Sequence, residues 1–249
     1  MPITVKSSRE IELMTEAGRI LEIVHKELEK ALHPGMTTKA IDRLGEEIIR
    51  SYGCIPSFLD YNGYPASICV SVNDEVVHGI PSEHRIIREG DIVSLDAGVI
   101  YKGYHSDAAR THAVGAISPE AQKLIDVTRQ SFFEGIKFAK AGNHLNDISS
   151  AIQAYAESFE YGVVRDLVGH GIGSHLHEEP EVPNFAQKRK GIKLVPGMTL
   201  AVEPMINIGT PNVAWMDDDW TVVTKDHSLS AHYENTILIT EGEPEILSL

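Results

Sequence analysis

The sequence predicts an α/β chain of the α+β kind, with two related helix, helix, strands halves around a central curved antiparallel sheet flanked by helices. Three observations lead there. Helical periodicity occupies Ser7 to Gly53, β-rich runs follow from Ile68 to Val114, and the same order starts again at Ser118. Landmarks then recur in matching order. Gly35 lies six residues before Ile41 as Gly142 lies six before Ile148, Gly90 precedes Asp96 as Gly197 precedes Glu203, and His78-Gly79-Ile80 matches His170-Gly171-Ile172. Finally, no Ser/Gly-rich linker or low-complexity tract interrupts the chain, so residues 1–249 are expected to form one domain, with an internal pseudo-repeat of roughly 1–117 and 118–249.

Each element has a local cause. Ser7 and Glu10 stand at capping-box spacing, and Ile11, Met14, Leu21, Val24 and Leu28 recur at helical intervals until Pro34-Gly35 stops them. A second helix follows Thr37-Thr38, with Ile41, Leu44, Ile48 and Ile49 on one stripe and Gly53 as its cap. Strands are expected at Ile68 to Val72, Ile92 to Ile100 and Tyr104 to Val114, the last two joined by a turn at Lys102-Gly103. Ser118-Pro119-Glu120 opens a third helix, whose buried stripe is Leu124, Ile125, Phe132 and Ile136. A fourth is expected from near Asn146 to Tyr161, closing at Gly162 as the second helix closes at Gly53. Strands return at Leu200 to Glu203, Thr221 to Thr224 and Ser230 to Thr240.

Composition narrows the function. With 36 acidic and 22 basic residues the formal charge is −14, which would repel a phosphate backbone, so direct nucleic-acid recognition is not expected. Cys54 and Cys69 make neither a paired zinc spacing nor a disulfide framework. No uninterrupted apolar stretch approaches the roughly 20 residues of a membrane helix, and no secretory leader is read at the N-terminus. A cytoplasmic location without membrane contact is the expectation.

The chemistry sits in the strands. In Ile92-Val93-Ser94-Leu95-Asp96, alternation puts Val93 and Leu95 on one face and Asp96 with Ile92 and Ser94 on the other. Thr199-Leu200-Ala201-Val202-Glu203 repeats the pattern, and Asp107 and Glu234 each lie in a later strand of their own half. Any one strand-end acid is ordinarily solvated or paired with arginine. Four at matched positions point instead to a shared cation, because adjacent buried carboxylates stay ionised only when positive charge compensates them. Two divalent ions would cancel four negative charges, and oxygen-rich ligation suits Mn, Fe(II) or Co at least as well as Zn. Among 12 histidines, His170 stands out between glycines in Gly169-His170-Gly171-Ile172-Gly173, and His177 follows before Glu178-Glu179-Pro180. His25, His33, His84 and His227 read as structural or solvated, while His105, His112, His144, His175 and His232 stay open. No Gly-x-Ser-x-Gly elbow, Walker loop or His-Glu-x-x-His helix is present.

Taken together, Asn73 to Pro81 with its His78-Gly79-Ile80-Pro81 ending, the strand ending at Asp96, Gly169 to Gly173, His177-Glu178-Glu179-Pro180, Glu203-Pro204, and Ser230-Ala231-His232-Tyr233-Glu234-Asn235-Thr236 resemble the type I methionine aminopeptidases, in their short bacterial form, over essentially the whole chain. The resemblance implies the pita-bread fold and removal of the initiator methionine from nascent proteins whose second residue is small. It implies two divalent ions (Co, Mn, Fe(II), Zn or Ni): Asp96, Asp107 and Glu234 would hold one, and Asp107, His170, Glu203 and Glu234 the other. Glu203 would manage the proton, His177 would stabilise the oxyanion and His78 would bond the amide after methionine. Tyr61, Tyr64, Cys69 and Trp220, edged by Phe58 and Leu176, would form an apolar pocket suited to a thioether. A monovalent cation near Asn73 and Ser230 is also implied. The implied partners are nascent polypeptide N-termini, with ribosome association left open, and the chain is expected to act as a monomer. Departures fall on the pocket: Leu176 replaces a frequent aromatic, Asn62 an occasional His and Val77 a frequent Cys. A pita-bread aminopeptidase of other specificity, or a non-catalytic pita-bread binding protein, is the alternative.

Overall fold

A computed structural model describes residues 3–249. The described residues form helices α1 (Ser8–Ala31), α2 (Thr38–Ser51), α3 (Pro119–Ile136) and α4 (Leu145–Glu157). Strands of the first half are β1 (Ile55–Pro56), β2 (Ile68–Val72), β3 (Glu75–Val77), β4 (Ile92–Tyr101) and β5 (Tyr104–Ala113). Those of the second are β6 (Gly162–Val163), β7 (Gly169–Gly171), β8 (Glu178–Val182), β9 (Thr199–Val202), β10 (Met205–Asn207), β11 (Val213–Trp215), β12 (Val222–Thr224), β13 (Ser230–His232), β14 (Glu234–Leu238) and β15 (Glu245–Ile246).

The helices begin where their caps predict. Ser7 and Glu10 close a reciprocal box, Thr37 Oγ1 accepts the Ala40 amide at 3.1 Å, and Ser118 Oγ accepts that of Ala121 at 3.1 Å. Their apolar stripes then bury against one face of a nine-stranded antiparallel sheet ordered β1-β4-β5-β14-β9-β7-β8, with β2 added beside β4 and β15 beside β14. In the first half Leu21, Val24, Leu28, Ile41 and Ile49 pack on Val93, Leu95, Ala97 and Val99 of β4. In the second, Phe132, Ile148 and Ile152 pack on Leu200, Val202 and Ile237. Each such fully buried aliphatic contributes about 1.5–3 kcal/mol.

The pseudo-twofold relation extends to single hydrogen bonds. Gly35 and Gly142 both take φ of +94°, a conformation that favours glycine. Their amides donate to Ile87 O at 2.9 Å and Leu194 O at 3.0 Å, and the amides of Ile87 and Leu194 return to Met36 O and Asn143 O.

Two expected elements differ. The fourth helix ends at Glu157, and Gly162 opens β6 rather than capping it. Glycine is needed at 162 because a Cβ would lie 2.6 Å from the 209–211 turn, a close-approach requirement that mimics a cap in sequence. The run Ser230 to Thr240 breaks at Tyr233, its first part joining β10 and β6 in a three-stranded sheet and its second joining the large sheet. Continuous β propensity carries no sign of a strand changing sheets. The sequence predicts none of the remaining short strands, including β7 and β8, since runs of two to five residues carry almost no periodicity.

Candidate metal centre and substrate pocket

Register alone brings the expected ligands to one face. Asp96 on β4 and Glu234 on β14 both pair with Ala109 of β5, from opposite sides. Asp107 lies two residues along β5 from Ala109 and so shares its face. On the other side, His170 on β7 pairs with Ala201 of β9, Ala201 pairs with Thr236 of β14, and Glu203 follows two residues on. Two-residue alternation therefore aims Asp96, Asp107, Glu234 and His170 from their strands, and Glu203 from just beyond the end of β9, into the same space opposite the helices.

The strands reach this arrangement because glycines let backbones close in. A Cβ at Gly169 would lie 2.3 Å from Ala201 O and one at Gly171 2.2 Å from Glu179 O. The pairing of β7 with β8 shifts register between His170 and Gly171, an irregularity that re-aims the side chain. His170 Nδ1 lies 2.8 Å from Gly171 O. A carbonyl can only accept, so Nδ1 carries the proton and Nε2 presents its lone pair, the state an imidazole needs to bind metal.

Donor atoms of Asp107, His170 and Glu234 lie within 4.8 Å of one another. Glu203 Oε1 stands 3.7 Å from His170 Nε2, and Asp107 Oδ2 stands 3.9 Å from it. Asp96 adjoins them from the neighbouring strand, paired with Ala109 two residues along from Asp107, and lines the same cavity. Asp96 Oδ1, Asp107 Oδ1 and Glu234 Oε1 are buried with no hydrogen-bond partner among the described residues. Burial pushes the Asp96 carboxyl up to about 7, and it raises Asp107, Glu203 and Glu234 well above their usual range, neighbouring carboxylates adding to the shift. Orphaned carboxylate oxygens beside an imidazole lone pair fit a divalent cation, whose charge would reverse those shifts.

A cavity of about 160 Å³ opens from this floor. Drug-sized pockets run about 300–1,000 Å³, so its size suits one amino-acid side chain. Phe58, Tyr64, Cys69, Leu176 and Trp220 supply apolar walls, and Tyr64 meets Trp220 edge-on with centroids 5.1 Å apart. Tyr61, His78 and His177 stand at its rim. His78 holds φ of +59°, unusual for a residue with a side chain, and burial lowers its pKa to about 4. His177 keeps an exposed edge, yet the protein crowded around it lowers its pKa, so both imidazoles are neutral at pH 7. Asn73 and Ser230 also meet, the Ser230 amide donating to Asn73 O at 2.9 Å.

Sequence reading missed the residues that brace these groups. Arg110, over the Tyr233 ring at 4.5 Å, donates to the Glu234 carbonyl and, at 2.6 Å, to Asn235 Oδ1. Asn184, fully buried, donates to Glu203 O at 3.1 Å. Lys6 forms a buried pair with Glu178 at 2.7 Å, tying the N-terminal segment to the residue after His177. A single Arg in the interior of a strand, three residues after Asp107, was the one available signal. Of the histidines left open, His232 is buried with Nε2 3.9 Å from Glu203 Oε2. His25, read as structural, donates to Ala108 O at 2.9 Å.

A buried carboxylate and imidazole cluster opening on a side-chain-sized apolar pocket is the equipment of a metal-dependent peptide hydrolase. Residues 12–241 match metallopeptidase family M24, and the chain belongs to that family. It is 58% identical over 247 residues to a methionine aminopeptidase of Clostridium acetobutylicum, covering 99% of each chain, and 49% identical to methionine aminopeptidase 1 of Bacillus subtilis, again covering 99% of each. The crystal structure of methionine aminopeptidase from Thermotoga maritima superposes with a TM-score of 0.97 at 44% identity over 99% of both chains. The pita-bread, pseudo-twofold architecture expected from the sequence is therefore the fold of this chain.

Proposed function

We propose that this chain is a metal-dependent aminopeptidase that removes the initiator methionine from nascent polypeptides whose second residue is small. The observation that carries the reading is the uncompensated acid cluster forming the floor of a pocket sized for one apolar side chain. Asp96, Asp107, His170, Glu203 and Glu234 would hold two divalent ions, from among Co, Mn, Fe(II), Zn and Ni. When bound, these ions supply a water of lowered pKa and polarisation of the scissile carbonyl.

The chain's own residues do the rest. The methionine side chain enters between Tyr64, Cys69 and Trp220, where a thioether finds polarisable and aromatic contacts. Its free amine is directed to the Asp96 end of the cluster, which restricts the reaction to chain termini. Glu203 accepts the proton of the attacking water and returns it to the departing amine. Neutral His177 donates to the oxygen on which negative charge develops, and His78 bonds the amide of the second residue. The same reading takes residues 1–249 as one catalytic domain repeated near residue 117, acting in the cytoplasm as a monomer on nascent N-termini, with a monovalent cation beside Asn73 and Ser230.

Turnover of a Met-Ala-Ser peptide by metal-loaded protein, abolished by chelation, is the expected result. Inactivity with Mn, Fe(II) and Co alike would overturn the proposal, and a panel varying the first residue separates methionine removal from another specificity.

A further inference from the structure

We infer that Tyr61 is a positioning residue for His177: its phenol donates to His177 Nδ1 and so fixes the imidazole proton on Nε2, the nitrogen left to face the substrate's carbonyl oxygen. The inference rests on the function proposed above for the identity of that oxygen, but the tautomer itself is a property of the free protein.

Tyr61 Oη lies 2.7 Å from His177 Nδ1, well within bonding range, with ring centroids 5.2 Å apart. A phenol and a neutral imidazole each offer a donor and an acceptor, but the phenol O–H is more acidic than the imidazole N–H and the imidazole lone pair more basic than the phenol oxygen, so the bond runs from the Tyr61 hydroxyl to Nδ1. Burial raises the Tyr61 pKa, so the hydroxyl keeps that hydrogen at neutral pH. His177 Nε2 has no hydrogen-bond partner among the described residues, and His177 lines the cavity.

Comparison with the adjacent ring shows why the partner of Nδ1 matters. The His170 and His177 rings lie 4.3 Å apart, both neutral. At His170 the group facing Nδ1 is a carbonyl, which forces the proton onto Nδ1 and leaves Nε2 as a lone pair for a cation. At His177 the group is a hydroxyl able to donate, which leaves Nε2 as an N–H for an oxyanion. Neighbouring imidazoles are thus set in opposite tautomers for opposite tasks.

The backbone is also shaped to deliver this hydroxyl. Asp60 and Asn62, on either side of Tyr61, take φ of +63° and +51°, left-handed conformations that Asp and Asn tolerate better than other side-chain-bearing residues. Bonds from Tyr61 N to Phe58 O and from Tyr64 N to Tyr61 O hold the turn. A pocket wall alone would need an aromatic ring but no hydroxyl.

The test is Tyr61→Phe, which keeps the ring, studied in the zinc-loaded full chain by ¹⁵N NMR of the imidazoles alongside steady-state kinetics. Wild type should show His177 as the Nε2–H tautomer, and the variant a mixture with Nδ1–H. For Met-Ala-Ser, kcat should fall about 10- to 100-fold with KM within about 2-fold, and Tyr61→Phe should add little in a His177→Ala background. His177 protonated on Nδ1 in wild type, an unchanged tautomer in the variant, or a KM effect with kcat intact would each overturn the inference. If wild type proves inactive on methionine peptides, the proposed function fails while the tautomer measurement still decides the role of Tyr61.

Discussion

The two halves of the molecule carry the same tripeptide, His78-Gly79-Ile80 and His170-Gly171-Ile172, and use it differently. In both, glycine is required by a close backbone: a Cβ at Gly79 would lie 2.4 Å from Val70 O, and one at Gly171 2.2 Å from Glu179 O. The histidines then diverge. His170 lies in β7, paired on both sides, with Nδ1 committed to Gly171 O and Nε2 pointed at the acids. His78 lies just beyond β3 with φ of +59°, at the pocket rim, its ring 6.4 Å from that of Trp220. Repetition preserved the glycine's steric role while backbone torsion re-aimed the histidine, toward the acid cluster in one half and to the pocket rim in the other, where the proposed function makes them metal ligand and substrate-facing donor.

Substitutions at these two positions should break the symmetry openly. His170→Ala should lower kcat/KM by at least about 100-fold and reduce bound metal, measured by elemental analysis after dialysis. His78→Ala should cost about 10-fold and leave metal content unchanged. Equal metal loss in both would erase the distinction. Glu203→Ala and His177→Ala sharpen it further, since each should cut turnover by at least about 100-fold, but only the first should weaken metal retention.

Metal removal provides a test by stability. The cluster's carboxyls have raised pKa values in the folded metal-free protein, Asp96 to about 7, so that state binds more protons than the unfolded chain above about pH 4. Their contribution is therefore present at low pH and is lost as pH rises through the folded values. Chelated protein should melt at least about 5 °C lower at pH 8 than at pH 5, and divalent metal at pH 8 should restore the loss. A melting temperature that rises or stays level over that range without metal would show the carboxyls are not crowded as described.

A smaller effect concerns the shared glycine. Gly171→Ala should destabilise by about 1–3 kcal/mol, because the obstacle is backbone rather than a movable side chain, and Gly79→Ala should cost a similar amount. Thermal melts of the two variants measure this. Exposed His84, outside either tripeptide, should tolerate Ala with activity within a few-fold.

Much of this was legible along the chain because it depends on local physics. Capping residues placed three helix starts, period-two alternation put Asp96 and Glu203 on the polar side of their strands, and recurrence at fixed spacing exposed the duplication. The resemblance to a family supplied the expected ligand set, and the structure gathers those residues around one cavity. Where reading failed, the deciding force was long-range. Gly162 looks like a cap and is instead crowded by the 209–211 turn, and Tyr233 divides one strand-like run between two sheets.

The sequence by itself determined which residues could ionise, ligate or line a pocket, and the face of each strand they occupy, since alternation and charge are properties of neighbours in the chain. Only the tertiary structure decided that Asp96 and Glu234 meet across Ala109, and that His170 and His177 face different partners at Nδ1. Register and hydrogen-bond direction are set by groups far apart in sequence, brought together when the two halves close around the sheet.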